Sequence, residues 1–228
     1  MPHSDHTPAR LAPRPAPGSL GAALAGRWRG EPVRVLIVPG LGDSGPGHWQ
    51  TWLQTQYRDA LRVQQDDWLT PELDAWAERI GRTLARHPRT AWIAVAHSFG
   101  CLALARYLHL NRPDLDGTPH GLRAALLVAP AEPRKFDVEA KLPRDGLGLP
   151  ATVIASDTDP WMTAESARLW AERWSARHTN LGAVGHINVE AGFGPWPLAR
   201  YLTDHLIRHE QRRRRIARAH PLELSYAV

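Results

Sequence analysis

The order of its segments predicts an α/β protein, a mostly parallel sheet of about six strands with helices on both faces. Two observations predict it. Short, near-continuous apolar runs alternate along the chain with stretches of helical periodicity, and strands of that composition are covered on both sides. The length agrees: 228 residues, at roughly 150 per domain, make one domain with additional ends. We divide the chain into a flexible Pro/Ala-rich leader over residues 1–30, a folded body over 31–211 and an Arg-rich tail over 212–228.

Val33-Arg34-Val35-Leu36-Ile37-Val38 is β-branched, mostly apolar and stopped by Pro39-Gly40, as a buried strand should be. Ala91 to Ala96, Ala124 to Ala129 and Ala151 to Ala155 repeat that pattern, with weaker strands expected at Leu61 to Gln64 and Thr179 to Leu181. Between Pro71 and His87, Leu73, Trp76, Ala77, Ile80 and Leu84 recur at steps of three and four. This predicts a helix with Thr70 as N-cap and Pro71 at its first position. Phe99 to Leu110, Ala164 to Trp174 and Leu198 to His209 read as further helices. Strands interleaved with helices imply right-handed crossovers and parallel pairing. Pro130 to Pro150, rich in prolines and in charges of both signs, is the one long loop of the body.

A composition of 43% hydrophobic and 22% charged residues excludes wholesale disorder, a coiled coil and a collagen-like fibre. The net charge of +5 is concentrated where Arg208, Arg212, Arg213, Arg214, Arg215 and Arg218 crowd together. That cluster lacks interleaved aromatic residues and reads as a solvated tail rather than a nucleic-acid handle. Cys101 is the single cysteine, which rules out an intrachain disulfide and any C-x-x-C site and places the protein in a reducing compartment, the cytoplasm. No run approaches the roughly eighteen apolar residues of a membrane span, so no membrane partner is expected. Arg10 and Arg14 before Leu20 to Ala25 imitate a secretion signal, but Pro13, Pro15, Pro17 and Gly21 interrupt it. Monomer and small homo-oligomer both remain open.

Three places could carry chemistry. Ala96-His97-Ser98-Phe99-Gly100 lies where an apolar strand meets a helical pattern, the setting of a nucleophile elbow, although Ala96 departs from the first glycine of G-x-S-x-G. Ile154-Ala155-Ser156-Asp157-Thr158-Asp159-Pro160-Trp161 ends a strand in two acids; either can orient an imidazole or steady the next helix, and Asp157 reads as the helix-steadying one. Leu181-Gly182-Ala183-Val184-Gly185-His186-Ile187-Asn188 sets a histidine in a glycine-rich loop after the last strand. Serine, acid, histidine, each just after a strand, is the α/β-hydrolase chain order. A serine hydroxyl needs a base within hydrogen-bond reach, and the base needs a carboxylate to fix its tautomer. These are Ser98, His186 and Asp159. His97 is expected to point away from Ser98 and to pack.

Such chemistry also needs two donors for the developing oxyanion: the amide of Phe99, after the nucleophile, and one from Pro39-Gly40-Leu41-Gly42-Asp43-Ser44-Gly45-Pro46-Gly47-His48-Trp49, where Leu41 is the candidate. The glycines of that loop do not make a nucleotide site. No G-x-x-x-x-G-K-[ST] occurs, and Pro46 follows the G-x-G-x-x-G-like spacing of Gly40, Gly42 and Gly45. No H-E-x-x-H or similar ligand set occurs, so neither metal nor cofactor is expected.

Val35 to Trp52, Ala96 to Leu102, Ala155 to Trp161 and Gly182 to Pro197 together resemble the small serine hydrolases of the retinoblastoma-binding protein 9 type, a lidless branch of the α/β-hydrolase superfamily. The resemblance implies a three-layer fold with no cap domain. It implies that the acid is the aspartate before the proline, Asp159, and that His48 lies near the pocket. Only Pro130 to Pro150 has room for a lid, so the pocket should be shallow and open. Trp49 and Trp161, with Trp68 and Trp196, are the tryptophans that could wall it. Cys101 reads as a small buried core residue. The reading is a serine hydrolase acting through an acyl-enzyme on small esters, thioesters or amides. The competing reading is a non-catalytic binding protein that uses the open pocket or the basic tail for a partner.

Overall fold

The computed structural model describes residues 33–112 and 121–218; the leader assigned to residues 1–30 lies outside the described residues. Strands β1 (Val33–Val38), β2 (Leu61–Arg62), β3 (Ala91–His97), β4 (Leu122–Val128), β5 (Ala151–Ala155) and β6 (Arg177–Asn180) form one six-stranded sheet in the order β2-β1-β3-β4-β5-β6. Every neighbouring pair is parallel. The helices are α1 (Trp49–Thr55), α2 (Leu73–Ala85), α3 (Phe99–Leu110), α4 (Ala164–Arg173) and α5 (Pro197–Arg218).

Alternation along the strands sorts their side chains into two cores. Leu36 and Val38 of β1, Ala94 and Ala96 of β3, Leu127 of β4 and Val153 of β5 face α2, α3 and α4, which contribute Trp76, Ile80, Leu102, Leu104 and Trp170. Val35, Ile37, Val95, Leu126, Val128 and Ile154 face the other way, against Trp49 and Leu53 of α1 and Ala199 of α5. Both faces being covered is why β1, β3, β4 and β5 carry so few polar residues, whereas the edge strand β6 is polar and mostly exposed. The chain runs outward from β1 to β2 and then crosses back to β3, so strand order reverses at β1. In open parallel sheets that reversal leaves a crevice beyond the carboxyl ends of the strands, where ligands bind. The β1 loop and the β3 turn both open onto it.

Some boundaries differ from the sequence expectation. Helix α2 starts at Leu73, and Thr70 does not cap it. The Asp67 carboxylate accepts from the Leu69 amide and from the Thr70 hydroxyl, so that hydroxyl is spent as a donor in the preceding turn. Helix α1 was not anticipated; at 7 residues it shows too little periodicity to stand out. The Arg-rich stretch is not a tail from residue 212, because α5 continues as helix to Arg218. Glu210, buried on that helix, accepts from Arg213 and Arg214 three and four positions on, a spacing that favours helix. Residues 219–228 lie outside the described residues. Pro130 to Pro150 holds two short 3-10 turns, Pro133–Phe136 and Glu139–Lys141, and among the described residues no cap domain covers the sheet edge. None of the described helices is long and apolar enough to cross a membrane.

Candidate active site

Strand β3 ends at His97 and α3 begins at Phe99, so Ser98 makes the turn alone. Its φ of 53° and ψ of −127° place it where a side chain is strained. The surroundings hold it there: its amide donates to the Val128 carbonyl at 3.1 Å, and its carbonyl accepts from the Cys101 amide at 3.0 Å. A Cβ on Gly100 would lie 2.3 Å from the Pro39 carbonyl oxygen, and one on Gly40 would lie 2.7 Å from Ser98 Cβ. Only glycine fits these two approaches. At Ala96 the extra methyl causes no conflict, because it lies in the core between the sheet and α2/α3.

The histidine loop is held differently. Ile187, with φ of 49°, is a β-branched residue in the left-handed region. Two consecutive carbonyls there are engaged by buried rings: His97 Nε2 donates to His186 O at 3.0 Å, and Trp49 Nε1 donates to Ile187 O at 2.8 Å. The acid loop is stitched to the same segment. Ser156 Oγ accepts from the Val184 amide at 3.0 Å, and Thr158 Oγ1 accepts from the Gly185 amide at 2.9 Å.

Between these loops, His186 Nε2 lies 2.9 Å from Ser98 Oγ, and His186 Nδ1 lies 2.9 Å and 3.0 Å from the two Asp159 oxygens. A carboxylate only accepts, so Nδ1 carries the proton and Nε2 is free to accept from the serine hydroxyl. The Asp159 carboxylate also accepts from the Trp161 amide at 2.9 Å. Among the described residues, neither the Leu41 nor the Phe99 amide has a protein acceptor.

The cleft over Ser98 has a volume of about 310 Å³. Five rings run through it in an arc: Phe136 to Trp161 at 6.2 Å, Trp161 to His186 at 6.1 Å, His186 to His97 at 4.9 Å and His97 to His48 at 4.9 Å between centroids. One end of the arc is therefore apolar and the other polar. Leu41, Asp43, Gly45, Asn188, Val189 and Glu190 complete the lining. Burial, aided by Arg62 and His186, pushes the His48 pKa down to about 4 against the opposing pull of Asp43. Burial likewise drives His97 well below the ordinary histidine range, with His186 and His48 adding to it. Both rings are neutral at pH 7. Burial pushes the Cys101 thiol well up, so it is not a competing nucleophile. Among the described residues no group of His, Cys, Asp or Glu is placed to hold a metal ion.

Over residues 35–204 the sequence matches the family described as serine hydrolase. The chain belongs to that family. It is similar to a YdeN-like hydrolase from Pectobacterium atrosepticum, with 32% identity, a TM-score of 0.69, and coverage of 83% of this chain and 94% of that one. The ydeN gene product of B. subtilis is 21% identical with a TM-score of 0.61, covering 76% of this chain and 97% of that one. The RedJ thioesterase of the prodiginine biosynthetic pathway in Streptomyces coelicolor is 17% identical with a TM-score of 0.53, covering 89% and 90%, and shares the fold. No curated protein matches the chain.

In this serine hydrolase the sequence-marked Ser98, Asp159 and His186 come together, and Leu41, His48 and Trp161 line the cleft. Trp49 does not. It is 0% exposed and packs edge-on against Trp196, because α1 turns that face into the core between the sheet and α1/α5. Trp68 packs against Trp76 on the other side of the sheet, so of the four tryptophans only Trp161 walls the cleft. Asp157 does not steady the next helix: its carboxylate accepts from Asn180 Nδ2 at 2.6 Å, and Thr163 caps α4. His97 packs, as expected, but also borders the cleft. Sequence reasoning missed Phe136, Asn188 and Gln50. Buried Gln50 donates from Nε2 to the Val38 and Val95 carbonyls at 3.2 Å and 3.0 Å, tying α1 to the ends of β1 and β3. Phe136 lies in the long Pro130 to Pro150 loop, which has no periodicity, and Asn188, two residues after the histidine, is the one available signal.

Proposed function

We propose that the protein is a serine hydrolase that cleaves small esters, thioesters or amides through an acyl-enzyme, and that it is of the lidless retinoblastoma-binding protein 9 type. The observation that carries the reading is the unbroken chain Ser98 Oγ to His186 Nε2 at 2.9 Å and His186 Nδ1 to Asp159 at 2.9 Å. As Ser98 Oγ attacks the substrate carbonyl carbon, His186 takes its proton at Nε2, and Asp159 stabilises the resulting imidazolium without itself being protonated. The carbonyl oxygen becomes an oxyanion facing the Leu41 and Phe99 amides, which need no reorganisation to receive it. His186 then protonates the leaving oxygen, sulfur or nitrogen, and the bond to it breaks. Water repeats the sequence on the acyl-enzyme, with His186 as base, and releases the acid. The apolar end of the cleft, Phe136 and Trp161, suits a short acyl or aryl group, and the partner is a small molecule. A cytoplasmic setting accords with a reduced, buried Cys101.

A fluorophosphonate probe tests this. The native chain should be labelled and Ser98→Ala should not, with ester turnover falling by up to about a million-fold; a native chain that stays unlabelled removes the nucleophile. Asp159→Asn should lower kcat by about ten-thousand-fold through loss of the correct tautomer. Asp157→Asn, two residues away on an exposed side chain, should leave kcat within about twofold. The reverse ranking would reassign the acid.

A further inference from the structure

The polar end of the cleft is built from donors. The Gln50 amide donates to His48 Nδ1 at 3.1 Å as the N-cap bond of α1. An amide can only donate, so Nδ1 is unprotonated, and a neutral ring then carries its proton on Nε2. Asn188 repeats the arrangement: its side-chain oxygen accepts from the Ala191 amide at 3.1 Å, which turns its NH2 group the other way. Among the described residues, neither His48 Nε2 nor Asn188 Nδ2 has a hydrogen-bond partner, and neither atom is sealed inside the protein. Both residues line the cavity that holds Ser98. His48 thus spends its single acceptor on local backbone and offers only N–H, and Asn188, its oxygen held by the Ala191 amide, offers its NH2 group.

The formal charges on the described lining are carboxylates, Asp43 and Glu190, and Asp43 is already paired with Arg62 at 2.7 Å. Among the described residues no Lys or Arg lines the cleft. A ligand that satisfies these donors must supply an acceptor, and the two lining carboxylates disfavour a negative charge on it.

We propose that His48 Nε2–H and Asn188 Nδ2–H bind an uncharged acceptor oxygen of the substrate, in addition to the carbonyl that Ser98 attacks. The substrate class is then an ester, thioester or amide whose acyl part carries a second neutral carbonyl or ether oxygen. This inference rests on Ser98 being the nucleophile. It makes His48 and Asn188 specificity-determining, because an analogue lacking the oxygen leaves both donors without a partner once water is displaced.

Three p-nitrophenyl esters of matched length separate the alternatives: pentanoate, 4-oxopentanoate, and the half-ester of succinate, which carries a carboxylate. In the wild type, kcat/KM for the 4-oxo ester should exceed that for pentanoate by about tenfold, and the half-ester should be the slowest. His48→Asn keeps an acceptor for the Gln50 amide but is too short to present the donor; Asn188→Ser keeps an acceptor for Ala191 and loses the amide. Each should cut the ratio of 4-oxo to plain ester by about three- to tenfold, and either variant suffices if the other fails to fold. An unchanged ratio in a folded variant, or the half-ester as the best substrate, overturns the inference. Fluorophosphonate labelling of the wild type tells the two failures apart. Labelling with an unchanged ratio overturns the inference alone, and absence of labelling overturns the nucleophile and the inference with it.

Discussion

Ser98 and His186 meet at 2.9 Å, but the segments that bring them there are held with different emphasis. Around the serine a steric constraint is added to the two backbone hydrogen bonds of Ser98: Gly100 sits against the Pro39 carbonyl and Gly40 against Ser98 itself, so closely that neither tolerates a Cβ. Around the histidine the fixing is polar: rings from β3 and α1 hold the carbonyls of His186 and Ile187, and hydroxyls of Ser156 and Thr158 hold the amides of Val184 and Gly185. A strand-to-helix turn can be positioned by exclusion because both elements are rigid. A loop of glycines has no such scaffold, and hydrogen bonds have to supply it. The serine side should therefore break abruptly with a single methyl, whereas the histidine side should weaken by steps and respond to pH.

The largest effect is expected at Gly100→Ala. Its Cβ would meet two backbone carbonyl oxygens, at 2.3 Å and 2.6 Å, and no rotamer change can relieve a clash with backbone. A loss of about 3 kcal/mol in unfolding free energy, read from denaturant melts, together with loss of fluorophosphonate labelling, is the expected outcome. Gly45→Ala, where an added Cβ has nothing within 4 Å, should change stability by less than about 0.5 kcal/mol. If the two glycines respond alike, steric exclusion is not what holds the elbow.

The contrast between the two sides also separates what the sequence discloses from what it hides. Strand runs, the long helices and the serine turn are local patterns, since an apolar run followed by a small-residue turn is written in consecutive positions. The order of serine, acid and histidine carried the site because each follows a strand whose place in a parallel sheet is constrained. What stayed hidden depends on which way a short element faces. Nothing in His48-Trp49-Gln50 reveals that α1 turns its indole into the core and leaves the imidazole in the cleft. Thr70 looked like a cap until the Asp67 carboxylate claimed its hydroxyl, and Asp157 looked like one until Asn180 paired with it across the sheet edge. Phe136 reaches the cleft from a loop with no periodicity to read.

The next effect is electrostatic and belongs to the two imidazoles buried beside His186, His48 at the start of α1 and His97 at the end of β3. In the unfolded chain His48 takes up a proton near pH 6.5, but in the folded protein not until about pH 4. Between these values the unfolded state binds more protons, so stability is fully present above 6.5 and falls as pH drops toward 4. A shift of that size corresponds to about 3 kcal/mol, and His97, displaced in the same direction, adds to it. Guanidinium unfolding at pH 7, 5.5 and 4 should show the midpoint falling, with a shallower fall in His48→Asn. A midpoint that stays flat from 7 to 4 would mean the rings are not buried in neutral form.

The smallest effect probes one clamp by itself. Trp49→Phe keeps an aromatic ring in the core between the sheet and α1/α5 but removes the indole N–H, leaving the Ile187 carbonyl without its 2.8 Å donor. An unpartnered buried carbonyl costs about 1–3 kcal/mol, and part of that should appear as freedom in the adjacent His186 rather than as lost stability. The expected signature is a kcat lower by about tenfold with KM within about twofold, since the base is misplaced while the cleft lining is untouched. Simple loss of packing would instead lower the melting temperature and leave kcat of the folded fraction unchanged. That result would reduce the two carbonyl clamps to structural bonds, and with them the distinction between a serine held by exclusion and a histidine held by hydrogen bonds.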